Sequence, residues 1–170
     1  MSRSIMAGRN ALGVVLYTTA CTGTPAGMGG DVVVSDRSEG SVTLDFPRGS
    51  QAETVAMFYL TAFERGATFR PSPAGHRGAE VMTCGAVART TARLALDRTL
   101  AAAGVELRKD GPEWYLADLG PALNASPLIL AANAPFAHDA PGTTERVDGG
   151  YLLIVEASSR IEALSACPPP

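Results

Sequence analysis

The chain has 170 residues, 46% of them hydrophobic and 18% charged, which fits one folded domain with its own core and excludes a disordered chain. The formal net charge is −3 and lysine occurs once, at Lys109, so no basic face marks a nucleic-acid partner. No stretch approaches the roughly 18 apolar residues that a membrane span needs, so no membrane partner is expected.

Arg3 and Arg9 precede an apolar run at 11–17, and Thr18, Thr19, Ala20 and Cys21 follow it. The outline has a faint likeness to a lipoprotein signal ending in a lipidated cysteine. The run is short, however; Asn10 interrupts its start and Thr18 stands where an aliphatic residue belongs, so a cytoplasmic location is the expectation. Residues 11–19 read as a buried strand, 22–30 as a glycine-rich loop, and 31–35 and 41–46 as two strands turning at Arg37–Gly40.

The segment 51–64 has helical spacing at Val55, Phe58, Tyr59, Ala62 and Phe63. Ser50 and Glu53 suggest a capping box, and Gly66 a stop. Pro71 and Pro73 make 68–78 a loop. A long helix is expected over 79–103, with Ala88, Ala92, Ala95, Leu96, Thr99 and Ala103 on one face and Arg89, Arg93 and Asp97 on another. Residues 109–112 read as a turn and 113–118 as a strand; 127–133 is ambiguous between helix and strand, and 134–144 is a loop. A strong strand at 151–157 would turn at 158–160 and pair back with a final strand at 161–166. The whole predicts a single α/β domain over 1–170, a mixed five-stranded sheet covered by helices, with 1–10 and 167–170 as loose tails.

Cys21, Cys84 and Cys167 are widely spaced and form no CxxC pair, which argues for free thiols in a reducing compartment and against a zinc site. No metal or cofactor is expected.

With this order of elements, Gly8–Leu16, Ser41–Pro47, Gly78–Met82, Asp97–Gly104, Trp114–Leu116 and Tyr151–Glu156 resemble the C-terminal half of a thiolase-fold condensing enzyme of the β-ketoacyl-acyl-carrier-protein synthase III type. The resemblance implies a thiolase-like half-domain linked to fatty-acid or polyketide condensation. It implies a homodimer or a place in a larger synthase, with acyl-carrier protein as a possible partner. The family's Cys-His-Asn set is not present: Asp118 stands where the histidine belongs, and the loop around His138 has no asparagine. The resemblance therefore implies an acyltransferase relative that is non-catalytic alone.

Asp118 and His138 are the candidate catalytic pair, placed at one end of the sheet where open α/β sheets hold ligands. A solvated strand-end acid and a loop histidine is the competing reading. Cys84 reads as a buried thiol rather than a nucleophile. His76, Asn124 and Asn133 read as loop or turn residues, and Gly27, Gly29 and Gly30 as a weak phosphate loop. Two other likenesses stand beside the first: an OsmC/Ohr-like protein without its reactive cysteine, and an anti-sigma-type ATP-binding regulatory domain.

Overall fold

The computed structural model describes residues 40–121 and 126–169. The strands expected at 11–19 and 31–35, the loop between them, Cys21 and Asn124 lie outside these.

The fold is mixed α/β. Its main sheet has five strands in the order β2 (Asp45–Phe46), β4 (Glu80–Thr83), β8 (Leu128–Ala132), β10 (Gly150–Val155) and β9 (Thr143–Val147). The β4–β8 pair is parallel and the others are antiparallel. The centre of the sheet is β8, Leu-Ile-Leu-Ala-Ala, buried along its whole length. A strand buried on both faces must be apolar at every position, and this is why its sequence carries no helix-or-strand periodicity.

Strand alternation divides the core in two. Val81, Ile129, Ala131 and Leu152 pack with α1 (Ala52–Phe63) and α2 (Arg89–Ala102), which brings Ala92, Ala95, Leu96 and Leu100 to the contact. Leu128, Leu130, Leu153 and Val155 point to the other face, where Phe136 and Ala163 cover them. Gly150 sits where β10 passes β8 so closely that a Cβ would lie 2.4 Å from the Ala132 carbonyl oxygen. A second sheet has the order β3 (Thr68–Arg70), β7 (Glu113–Asp118), β6 (Val105–Asp110), with β6 and β7 joined through Gly111 and Pro112. Its inner face gives Phe69, Leu107, Trp114 and Leu116 to the main core. Its outer face holds Arg70 between Asp110 and Glu113. A short pair, β1 (Ser41–Val42) with β5 (Val87–Ala88), completes the pairing.

The helix expected over 79–103 begins only at Arg89. Residues 80–83 form β4, and Gly85 at φ +80° breaks the chain before β5. Helical spacing holds only from Ala88 onward; the four residues of β4 are too few to show a period of their own. Ser50 is not the cap of α1: Gln51 holds that position and no side chain caps the helix. The supposed loop 68–78 contains β3 and a 3₁₀ turn at Pro73–His76. Tyr151–Val155 is a strand, but the hairpin it closes is with β9 on its N-terminal side. The expected final strand is the helix α3 (Arg160–Ser165). The closing hairpin on which the thiolase reading relied is therefore absent.

α3 has six residues, too few to hold a helix by its own hydrogen bonds. It is fastened to β4 at both ends. At its start, Arg160 Nε lies 2.9 Å from Glu80 Oε1, and Glu80 is buried. Burial pushes the Glu80 carboxyl up, while Arg160 and then Arg48 draw it back. Just past its end, Cys167 is disulfide-bonded to Cys84. The free-thiol reading fails here, because β4 and α3 bring together two cysteines 83 positions apart. Replacing both by alanine is expected to lower stability to urea by about 2–4 kcal/mol, through the freedom returned to the unfolded chain. The same variant should be cut by trypsin after Arg160 while intact protein resists. An unchanged urea midpoint and cleavage rate would show that the bond does not fasten α3.

Candidate interaction site

Arg77 leaves the 3₁₀ turn at Pro73–His76 and reaches across the end of the second sheet. Its Nη1 donates to the carbonyls of Gly104 and of Gly120, the latter at 2.8 Å. Its Nη2 meets both oxygens of Asp118, each at 2.8 Å. Asp118 Oδ1 also accepts from the Gly120 amide at 2.7 Å. That amide first, and then Arg77, hold the Asp118 carboxyl below the ordinary range. One guanidinium thus ties the end of α2, the end of β7 and the entry to β4. The sequence offered no sign of this, since Arg77 sits in a Pro- and Gly-rich stretch without periodicity.

The candidate pair is split between the sheets. Asp118 ends β7 of the three-stranded sheet, bound as described. His138 is exposed in the loop between β8 and β9 of the five-stranded sheet. His76 is exposed at the end of its turn. Asn133 is a brace: its Nδ2 donates to Ala86 O at 2.8 Å and its Oδ1 accepts from Ala88 N at 3.1 Å, fixing the turn before α2. Among the described residues no group of three or more His, Cys, Asp or Glu is placed to hold a metal ion. No helix among them is long and apolar enough to cross a membrane.

A cleft of about 440 Å³ lies between α2 and the β6–β7 hairpin. Leu94, Leu107, Trp114 and Leu119 give it apolar walls, and Tyr59, Asp97, Arg98 and Glu106 are its polar groups. Helical spacing puts Leu94, Asp97, Arg98 and Ala101 on the side of α2 that faces the hairpin. Arg93 Nε donates to the Tyr59 hydroxyl at 2.7 Å and its guanidinium reaches Glu64 at 3.3 Å. Arg98 is turned to Glu145 of β9 at 2.7 Å. The arginines nearest the cleft are thus already engaged. Lost solvation raises the Asp97 carboxyl; Arg93 and the Tyr59 hydroxyl, which hydrogen-bonds to it, offset this only in part. Burial, and next the charge of Asp97, raise the Tyr59 phenol. A second depression of about 560 Å³ lies between α1 and β3, around Met57, Leu60 and Phe69.

No protein-family model and no curated protein matches the chain. Solved structures do. The structure of XcpQN012 superposes at TM-score 0.54 with 8% identity, over 74% of this chain and 62% of that one. The N-terminal domain of the secretin XcpQ from Pseudomonas aeruginosa superposes at TM-score 0.52 with 11% identity, over 73% and 62%. A chain of the GspC-GspD complex from the type II secretion system of enterotoxigenic Escherichia coli reaches only TM-score 0.45 with 9% identity, over 74% of this chain and 94% of that one. The chain spans 62% of the length of the XcpQ structures it matches. At these identities the likeness is one of fold.

These findings overturn the thiolase resemblance and what it implied. The neighbours are secretin domains, so the β-ketoacyl synthase role, the fatty-acid or polyketide setting and the synthase or acyl-carrier partners lose their basis. Neither the OsmC/Ohr-like nor the anti-sigma-type alternative gains support. The misreading arose from apolar strands and an alanine-rich helix, which many α/β folds share.

Arg77→Met keeps the length of the side chain and removes its donors. It is expected to cost about 2–4 kcal/mol, because carbonyls at the α2 and β7 ends lose their partner, read as a shift of the urea midpoint. Asp118 should make the wild-type chain acid-sensitive. Its carboxyl is lowered in the fold, so its contribution is complete above the ordinary carboxylate range of about 4 and fades as pH falls through the lowered value. Asp118→Asn should flatten that acid limb, and an unchanged limb would count against the assignment.

Proposed function

We propose that this chain is a non-catalytic assembly domain, akin to the N-terminal domain of a secretin, that works by binding other proteins in an oxidising compartment. The observation that carries the reading is the fold likeness to the XcpQ N-terminal domain across about three quarters of the chain, at 74% and 73% coverage. The Cys84–Cys167 bond supports the compartment, because such bonds persist where thiols are not kept reduced. The candidate site also favours binding over chemistry. Asp118 is occupied by Arg77, and the cleft beside α2 has apolar walls with an aromatic ring, as protein-binding surfaces often do. A location outside the cytoplasm replaces the cytoplasmic expectation in this proposal.

Trapping thiols with an alkylating reagent in intact producing cells, followed by fractionation, tests it. The expected result is chain in the cell-envelope or extracytoplasmic fraction, with Cys84 and Cys167 protected until a reductant is added. Chain in the cytosol with both thiols alkylated would refute the reading.

A further inference from the structure

β6 is the outer strand of its sheet, and among the described residues no strand pairs with its free side. It is six residues long, an open row of backbone donors and acceptors. The cleft runs along this same strand, since Val105, Glu106 and Leu107 all line it. On the facing wall α2 contributes Leu94, Asp97 and Ala101. A strand added at the usual spacing of about 4.8 Å from β6 would continue the sheet beside that wall. Its alternate side chains would enter the cleft, and the others would join the charged outer face with Glu106 and Arg108.

The cleft also states what those side chains should be. Leu94, Leu107 and Trp114 call for apolar groups. Asp97 and Glu106 bring negative charge, while Arg98, which also lines the cleft, is paired with Glu145, and Arg93 beside it is turned to Tyr59 and Glu64. Charge complementarity therefore favours a basic residue. We propose that the open edge of β6 accepts an extended segment of a partner protein as a fourth strand, with apolar side chains against Leu94, Leu107 and Trp114 and a Lys or Arg against Asp97. The proposal rests on the reading of the chain as an assembly domain and names the class of segment that it binds.

Trp114 is the single tryptophan and lines the cleft, so its fluorescence reports occupancy. The probe is the blocked peptide Thr-Leu-Thr-Arg-Thr-Leu-Thr, titrated into the full oxidised chain. A saturable change is expected, together with slowed amide exchange in β6. Glu in place of the peptide's Arg, or Asp97→Asn in the chain, should weaken binding about tenfold, and circular dichroism should show that variant folded. N-methylation of alternate peptide amides should abolish binding, because it removes the ladder donors. No saturable change up to about 1 mM, or equal binding of the N-methylated peptide, would overturn the proposal. So would Asp97→Asn binding at wild-type strength, or a dimer of the chain through β6 that the peptide cannot displace. Failure here leaves the assembly reading to stand on oxidation state and location. Failure of that reading in cells would leave the titration result unchanged.

Discussion

The arrangement of this protein depends on a single guanidinium. From the segment that leads into β4, Arg77 reaches acceptors that belong to two other parts of the fold, the α2 terminus and the β7 end. Carbonyls at a helix end and a strand end need partners when water is scarce. Here one planar donor serves several of them, and the bidentate pair with Asp118 fixes its orientation. The end of the second sheet is thereby tied to the end of α2, the two elements between which the cleft lies. A lysine could not take this place, because its single nitrogen cannot serve the backbone carbonyls and the carboxylate from two separate positions, as Nη1 and Nη2 do.

The main sheet is fixed differently, through apolar packing on both faces. The α1–α2 side is broad. The other side relies on α3, which is tied by a buried ion pair and a disulfide to the same strand, β4. Glu80 illustrates the balance in such a tie. Its burial disfavours the charge, and removing Arg160 alone would leave a buried carboxylate with only the more weakly acting Arg48 to offset it. Neither device reaches the α2–β6 cleft, so a partner could occupy that cleft without loosening the core.

Much of this was legible in the sequence where local pattern and final environment agree. Of the helical spacing at Val55, Phe58, Tyr59, Ala62 and Phe63, Val55 and Tyr59 lie on the buried face of α1. Glu113–Asp118 reads as a strand and is one, and the strand expected over 151–157 is present as far as Val155. The mixed five-stranded sheet followed from the alternation of element types. The failures share a physical cause. Leu128–Ala132 is buried on both faces and so has no period, and Glu80–Thr83 is a short strand beside a real helix whose spacing masked it. The Cys84–Cys167 bond and the Arg77 cluster join residues distant in sequence, and no local pattern encodes such meetings. Asp118 was noticed as a strand-end acid, but its partner Arg77, 41 positions away, could be found only in three dimensions.

The disulfide also shapes how the molecule would carry a mechanical load. Tension entering upstream of Cys84 and leaving downstream of Cys167 crosses from one to the other through sulfur and bypasses everything between. The 83-residue separation corresponds to a contour of roughly 280 Å at about 3.4 Å per residue. That length stays hidden from a pulling force while the bond is intact. The α2 helix, the β6–β7 hairpin and strands β8 to β10 all lie within that shielded span.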